Sequence, residues 1–275
     1  MVKDQNKRQE LSVVLATFNE ERNLPECLDS VRDLAGEIII VDGSSTDKTV
    51  EIAKRYGAKV IVVENLPNFH INKQKAINLA TKDWILQLDA DEKVTPELQR
   101  EIKEKIGNLK LPASPAGEEI GNPANGYWVA RKNWFLGRFL MKGGQYPDYT
   151  LRLYRREKGH LPQKDVHEQA EVIGHVEYLK HDLLHYPYKN FTSYLVKWNK
   201  YNDLLASQIT ESLKNKNNLA KLGYAIGYLI IKPTHWFLTT YIRHKGFMDL
   251  WPGLVFSFFS AIRFPVSYLK SLKAL

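Results

Sequence analysis

The stretch Trp84-Ile-Leu-Gln-Leu-Asp-Ala-Asp-Glu92 decides how this chain is read. Residues 84–88 are rich in apolar and β-forming types and read as a buried strand, and the apolar run stops at Asp89. Asp89 and Asp91 are two apart, so an extended backbone projects both carboxylates to the same side. Open α/β sheets bind their ligands beyond the carboxyl ends of buried parallel strands, which is where these acids fall. Two unpaired carboxylates so placed repel each other, and a hard divalent cation resolves the conflict. Asp91 or Thr95 also suits the N-cap of a helix beginning near Pro96, but one cap does not call for three acids in four residues.

Outward from this strand the first hundred residues alternate. Strands are expected at 11–16, 37–41 and 59–63, with helices at 22–34, 47–56, 72–80 and 96–106. Short β-branched runs separated by helical patterns predict a parallel sheet with right-handed crossovers. Residues 111–125, rich in Pro, Gly, Ala and Ser, read as a loop, and 126–188 as short strands and loops. A periodic helix is expected at 191–213 (Tyr194, Leu195, Trp198, Tyr201, Leu205). The resulting division is a polar arm at 1–10, a ligand-binding half at 11–110, a second half at 111–190, and a basic aromatic helical region at 191–275.

The net charge of +8 is concentrated at one end. Residues 213–275 hold nine Lys and Arg against Asp249 alone, so the remainder of the 39 basic and 31 acidic residues balance. The same tail holds 12 of the chain's 31 aromatics. Basic residues interleaved with aromatics suit nucleic acid or a membrane surface. The apolar stretches 222–231, 236–242 and 250–262 are too greasy for a nucleic-acid arm. Each is too short or too interrupted for the ~20 apolar residues of a span. Interfacial helices with snorkelling Lys and Arg are therefore expected. Cys27 is the one cysteine, which excludes a disulfide framework and a Cys-based zinc site. It falls on an apolar helix face with Leu24, Leu28 and Val31. With no apolar run in residues 1–10, a reducing, cytoplasmic setting is expected.

Each strand of the front half ends in polar residues: Ala16-Thr-Phe-Asn-Glu-Glu21, Val41-Asp-Gly-Ser-Ser-Thr-Asp-Lys-Thr49 and Asp89-Ala-Asp-Glu92. Asp47 suits an N-cap of the second helix. Neither a Gly-x-Gly-x-x-Gly fingerprint nor a P-loop is present. In this order and spacing the segments resemble the nucleotide-sugar glycosyltransferases of family 2. The resemblance is close over residues 10–110 and looser to about residue 200. It implies a GT-A fold: α/β, doubly wound and mostly parallel, here with a C-terminal amphipathic helical extension. It implies that Thr17, Asn19 and Glu20 line the nucleoside pocket, that Asp42 bonds the base or ribose, and that Lys73 faces the donor, with Lys75 the competing choice. Asp89 and Asp91 become the DxD pair, Asp89 near the ribose or sugar and Asp91 on the metal, both counted as metal-site residues.

The implied cofactor is a divalent ion, Mg2+ or Mn2+, and the implied donor a nucleotide-diphosphate sugar, a UDP-sugar first among the candidates. Negative charge grows on the departing diphosphate, and a bridging ion and a lysine stabilise it. The resemblance places the general base in Lys164-Asp-Val-His-Glu168, with Glu168 preferred over Asp165; a surface ion pair is the plainer role. Gly143-Gly-Gln-Tyr-Pro-Asp148 and Leu151-Arg-Leu-Tyr154 resemble the acceptor-side segment, with Arg152 facing a phosphate or carboxylate or pairing with Asp148. His185 is acceptor-side, metal-proximal or a core histidine. The implied enzyme is an inverting hexosyltransferase acting on a membrane-anchored glycan, and the branch most resembled is that of lipopolysaccharide-core glucosyltransferases. Its partners are then a lipid-linked acceptor and the anionic inner face of the cytoplasmic membrane, with no nucleic acid. Transfer to polyprenyl phosphate or to another lipid-linked glycan (capsule or O-antigen) is the nearer alternative. A non-catalytic nucleotide-sugar or nucleic-acid binder is the farther one.

Overall fold

The computed structural model describes residues 10–66, 68–107, 123–162, 169–214 and 216–273. The chain forms two compact units. One takes the chain up to Arg131 together with Asp148–His185; the other takes Lys132–Pro147 and Tyr186–Leu275.

In the first unit the alternation is realised as β1 (Leu11–Thr17), α1 (Leu24–Asp29), β2 (Glu37–Asp42), α2 (Thr49–Arg55), β3 (Lys59–Val62), α3 (Phe69–Asn78), β4 (Trp84–Gln87), β5 (Glu92–Val94) and α4 (Pro96–Gly107). There follow β6 (Gly126–Phe135), β8 (Asp148–Arg155), β9 (Gly159–His160), β10 (Glu171–Val172), β11 (Val176–Tyr178) and β12 (Leu183–His185), while β7 (Arg138–Leu140) and the end of β6 fall in the second unit. The sheet runs β3-β2-β1-β4-β8-β6-β12-β5. Its first four strands are mutually parallel, whereas β8 joins β4, and β6 joins β8, antiparallel. Sequence alternation does not reveal this second half, because its strands are joined without helical spacers and pair antiparallel.

β1 is apolar along its length because both faces are covered. Leu11, Val13 and Leu15 pack with Leu24, Leu28, Ile52, Leu98 and Ile102 on one face. Val14 packs with Ile39, Val41, Ala76, Ile77 and Ile85 on the other. Cys27 is wholly buried in the first of these cores. The first helix is shorter than expected, and Ser30 gives the reason. Its hydroxyl donates to Cys27 O (2.6 Å) and accepts from Val94 N–H (3.1 Å), which ties the helix end to β5. Thr95 is the cap of α4, accepting from Leu98 N–H at 3.2 Å, and Asp91 is left for another role. Asp47 accepts from Thr49 N–H at 3.0 Å in the first turn of α2. The loop expected at 111–125 lies, up to residue 122, outside the described residues.

In the second unit, Leu136 and Gly137 take left-handed backbone angles (φ 48° and 92°) in the tight turn joining the end of β6 to β7. Buried Asp249 accepts from Lys142 N–H (2.7 Å) and faces Arg138 (3.5 Å), fastening this hairpin to the helices. Helix α5 (Phe191–Leu213) opens on a capping box between Asn190 and Ser193 and matches the predicted span. Residues 218–243 are helical throughout, as α6 (Asn218–Ile226) and α7 (Lys232–Phe237), each followed by a π-helical turn. Helix α8 (Leu250–Lys273) packs along α5, with Trp198 Nε1–H donating to Phe259 O at 3.0 Å. The tail was expected to hold no apolar stretch of spanning length, but α8 runs on through Arg263 and Pro265. Gly246–Lys273 is thereby one helix long and apolar enough to cross a membrane by length and composition, with 28% of its apolar window buried within the protein.

Glu101 supplies a test of the first unit. It is buried on α4 and accepts from Lys180 N–H (2.9 Å), His181 N–H (3.0 Å) and the His181 ring (2.8 Å). Burial pushes its carboxyl up, but these bonds win and hold it below the ordinary glutamate value. A depressed folded-state value gives stability that is present above the unfolded value, ~4.3, and is lost as pH falls through the folded one. Glu101→Gln is expected to cost about 1–3 kcal/mol at neutral pH. In urea unfolding its deficit relative to the parent protein should shrink below about pH 4.

Candidate functional site

The ends of β1 and β2 are stitched together. Thr17 stands opposite Asp42 in the parallel register, and its hydroxyl donates to Asp42 Oδ2 at 2.8 Å. Ser45 gives the same carboxylate two more bonds, from its N–H to Oδ1 (2.7 Å) and its hydroxyl to Oδ2 (2.6 Å). Asn19, at a left-handed φ of 56°, donates its N–H to Ser45 Oγ (2.8 Å) and accepts from Thr46 N–H (2.9 Å). Glu20 N–H donates to Thr49 Oγ1 (2.7 Å), and its carboxylate accepts from Asn23 (2.6 Å). The loops after β1 and β2 are thus one preorganised surface, with Asp42 wholly buried beneath it.

The end of β4 holds a second constellation. Lys73, reached from α3, pairs with Asp89 Oδ1 and lies 4.9 Å from the Phe69 ring centroid. Arg152 on β8 donates from Nη2 to both Asp89 Oδ2 (2.7 Å) and Glu92 Oε1 (2.6 Å). Arg131 on β6 reaches Glu92 Oε1 (3.2 Å) and Asp148 Oδ2 (2.8 Å). Asp89 N–H donates to Glu92 Oε2 at 2.9 Å and closes the turn. Lys73, Arg131 and Arg152 therefore meet Asp89, Glu92 and Asp148 in a charge-balanced cluster. Burial opposes ionisation of Asp89, yet Lys73 and Arg152 hold its carboxyl well below the usual range.

Asp91 stands outside this cluster, a quarter exposed, with its Oδ2 3.5 Å from His185 Nε2. A cavity of about 210 Å3 adjoins the cluster, lined among others by Lys73, Asp89, Arg131, Thr150, Arg152 and Gln169. Among the described residues the Arg152 Nε–H and the Thr150 hydroxyl are buried there without partners.

Of the residues named from sequence, Thr17, Asn19, Glu20 and Asp42 are therefore joined at the ends of β1 and β2, and Lys73 and Asp89 at the end of β4. Because β1 lies between β2 and β4, both groups leave the same edge of the parallel strands. Lys75 is exposed on α3, away from the paired charges. Arg152 does not pair with Asp148; Arg131 takes that acid, and Arg152 turns to Asp89 and Glu92. Glu168 and Asp165 lie outside the described residues, although Gln169, the next residue, lines the cavity. Sequence reasoning missed Glu92, Arg131 and Thr150. The third acid of the 89–92 turn was the one signal, and its arginine partners lie on strands with no distinguishing spacing.

Residues 12–160 match the model of glycosyl transferase family 2. The chain belongs to that family. Over 267 residues it is 30% identical to the lipopolysaccharide core biosynthesis glycosyltransferase LpsC of Rhizobium meliloti (strain 1021), covering 92% of this chain and 91% of that protein. An uncharacterized glycosyltransferase of Rickettsia typhi is 43% identical over 93 residues, 34% of this chain and 32% of that one. Among solved structures, S. aureus TarS 1–349 covers 96% of this chain and 88% of its own, at 13% identity and a TM-score of 0.47. This family 2 glycosyltransferase thus has the α/β GT-A fold and moves a sugar from a nucleotide-sugar donor. A non-catalytic binder is set aside by the same membership.

The charge cluster makes a direct stability prediction for the glycosyltransferase. Arg152→Leu leaves Asp89 and wholly buried Glu92 short of their shared cation, and should cost roughly 3–5 kcal/mol in denaturant unfolding.

Proposed function

We propose that this glycosyltransferase is metal-dependent and inverting, with Asp91 rather than Asp89 as the metal ligand. The observation that carries this reading is the division of the acidic pair. Both oxygens of Asp89 are taken by Lys73 and Arg152, whereas Asp91 stays outside the cluster beside His185. Among the described residues no three His, Cys, Asp or Glu form a cage that would hold an ion alone. A single carboxylate, Asp91, suits Mg2+ or Mn2+ shared with substrate phosphates, since such ions take most of their oxygen ligands from water and the substrate. When bound, the ion supplies Lewis acidity to the departing diphosphate.

The chain's own residues supply the rest. Thr17, Asn19, Glu20 and Asp42 form the nucleoside surface, for which UDP is the first candidate. Asp89 orients ribose or sugar while its charge is held by Lys73 and Arg152. Lys73 adds positive charge on the donor side. Glu168, beside cavity-lining Gln169, takes the proton of the acceptor hydroxyl as that oxygen displaces the diphosphate at the anomeric carbon. The acceptor is a membrane-anchored glycan, with the lipopolysaccharide inner core favoured by full-length similarity to LpsC. The protein then works at the inner face of the cytoplasmic membrane, with its basic aromatic tail against anionic lipid. The segment Gly246–Lys273, long and apolar enough to cross a membrane by length and composition, favours a second acceptor reading, polyprenyl phosphate or another lipid-linked glycan.

Nucleotide sugars should raise the unfolding temperature only with Mg2+ or Mn2+ present, by about 2.7 kcal/mol of stability at a hundredfold excess over Kd. Asp91→Asn should remove the metal-dependent part and lower kcat by roughly 100-fold or more. Full activity of that variant in excess metal would sink the assignment. Glu168→Gln should abolish transfer and keep donor binding, as read by turnover and thermal shift together.

A further inference from the structure

The second unit contains a cavity of about 280 Å3 between α5 and α8 that the transfer reaction does not account for. Its walls include Tyr188, Tyr194, Trp198 and Phe256, and its lining also includes Asn202, Lys197 and Arg263. Asn202 is 2% exposed, and its amide Nδ2 is buried with no hydrogen-bond partner. Lys197 and Arg263 are exposed, and among the described residues neither has an acidic partner. Lys197 lies 5.5 Å from the Tyr188 ring centroid and Arg263 5.1 Å from that of Phe264.

An unsatisfied buried donor is costly, and the same cavity is lined by two cations and no acidic residue. The missing chemistry is an oxygen-rich anion. Aromatic walls and exposed apolar neighbours on both helices (Val196, Leu204, Leu254, Phe258) ask in addition for hydrocarbon. We propose that this cavity binds the phosphate headgroup of a single membrane phospholipid, its phosphate oxygens accepting from Asn202 Nδ2–H and pairing with Arg263 and Lys197. The acyl chains lie along the exposed apolar residues. The site fixes the protein to a lipid rather than merely to a charged surface, and it holds whatever sugar the enzyme transfers.

Asn202→Leu separates these ideas, because it changes shape little and charge not at all. Full-length protein is titrated with phosphatidylcholine vesicles with and without phosphatidylglycerol. Asn202→Leu should bind the anionic vesicles roughly tenfold more weakly than the parent, while its own unfolding temperature holds or rises because an unsatisfied donor is gone. Arg263→Gln should weaken binding further than Lys221→Gln, which removes an equal charge outside the cavity. Short-chain phosphatidylglycerol below its micellar concentration should stabilise the parent thermally but not Asn202→Leu. Parent-like vesicle binding by Asn202→Leu, with equal losses in the two charge variants, would overturn the site in favour of general charge attraction. Equal stabilisation by inorganic phosphate would overturn the lipid assignment. None of these readouts uses glycosyl transfer, so their failure leaves the proposed reaction standing.

Discussion

The first unit depends on one interaction: the guanidinium of Arg152 shared between Asp89 and Glu92. Three acids within four residues at the end of a buried strand would repel one another and resist burial. Arg152, with Lys73 on one flank and Arg131 on the other, turns that liability into a fixed turn. Desolvating such charges is expensive, and the gain lies less in net stability than in geometry. Because the cluster is balanced, it fixes Asp89 and releases Asp91 to act alone.

That division makes two neighbouring carboxylates chemically different. Asp89 is held ionised by cations that do not leave, so it behaves as a fixed hydrogen-bond acceptor. Among the described residues Asp91 pairs with His185 alone, at 3.5 Å, and keeps its capacity for a ligand. Across β1, Asp42 resembles Asp89, since Thr17 and Ser45 already occupy much of its carboxylate. The surface proposed for the nucleoside would thus be built before any nucleotide arrives, leaving little ordering cost for binding.

The parallel half of the fold was legible because burial on both faces writes itself as uninterrupted apolar strands. Leu11 to Ala16 and Trp84 to Leu88 could be little else, and their polar ends announced the site. The antiparallel half was not legible. Arg131 looks like an ordinary strand residue, and the true partners of Arg152 stay hidden, until β8 is laid beside β4 and β6, a long-range pairing that no local pattern encodes. The tail failed differently: the apolar stretch 250–262 reads as too short or too interrupted, but a helix tolerates an arginine such as Arg263 at its surface and runs on. Pro265 lies inside the helix, which continues past it to Lys273.

Asp249 has a consequence for how the chain is divided. The polypeptide passes between its two units after Arg131, after Pro147 and after His185, so the helical unit is not a simple tail. Lys142 and Arg138 come from the first visit, while the buried carboxylate that satisfies them comes from the last. A protein cut at residue 185 would keep the hairpin and lose its acceptor. The two units are interleaved along the gene, and neither can be exchanged between relatives by a single crossover.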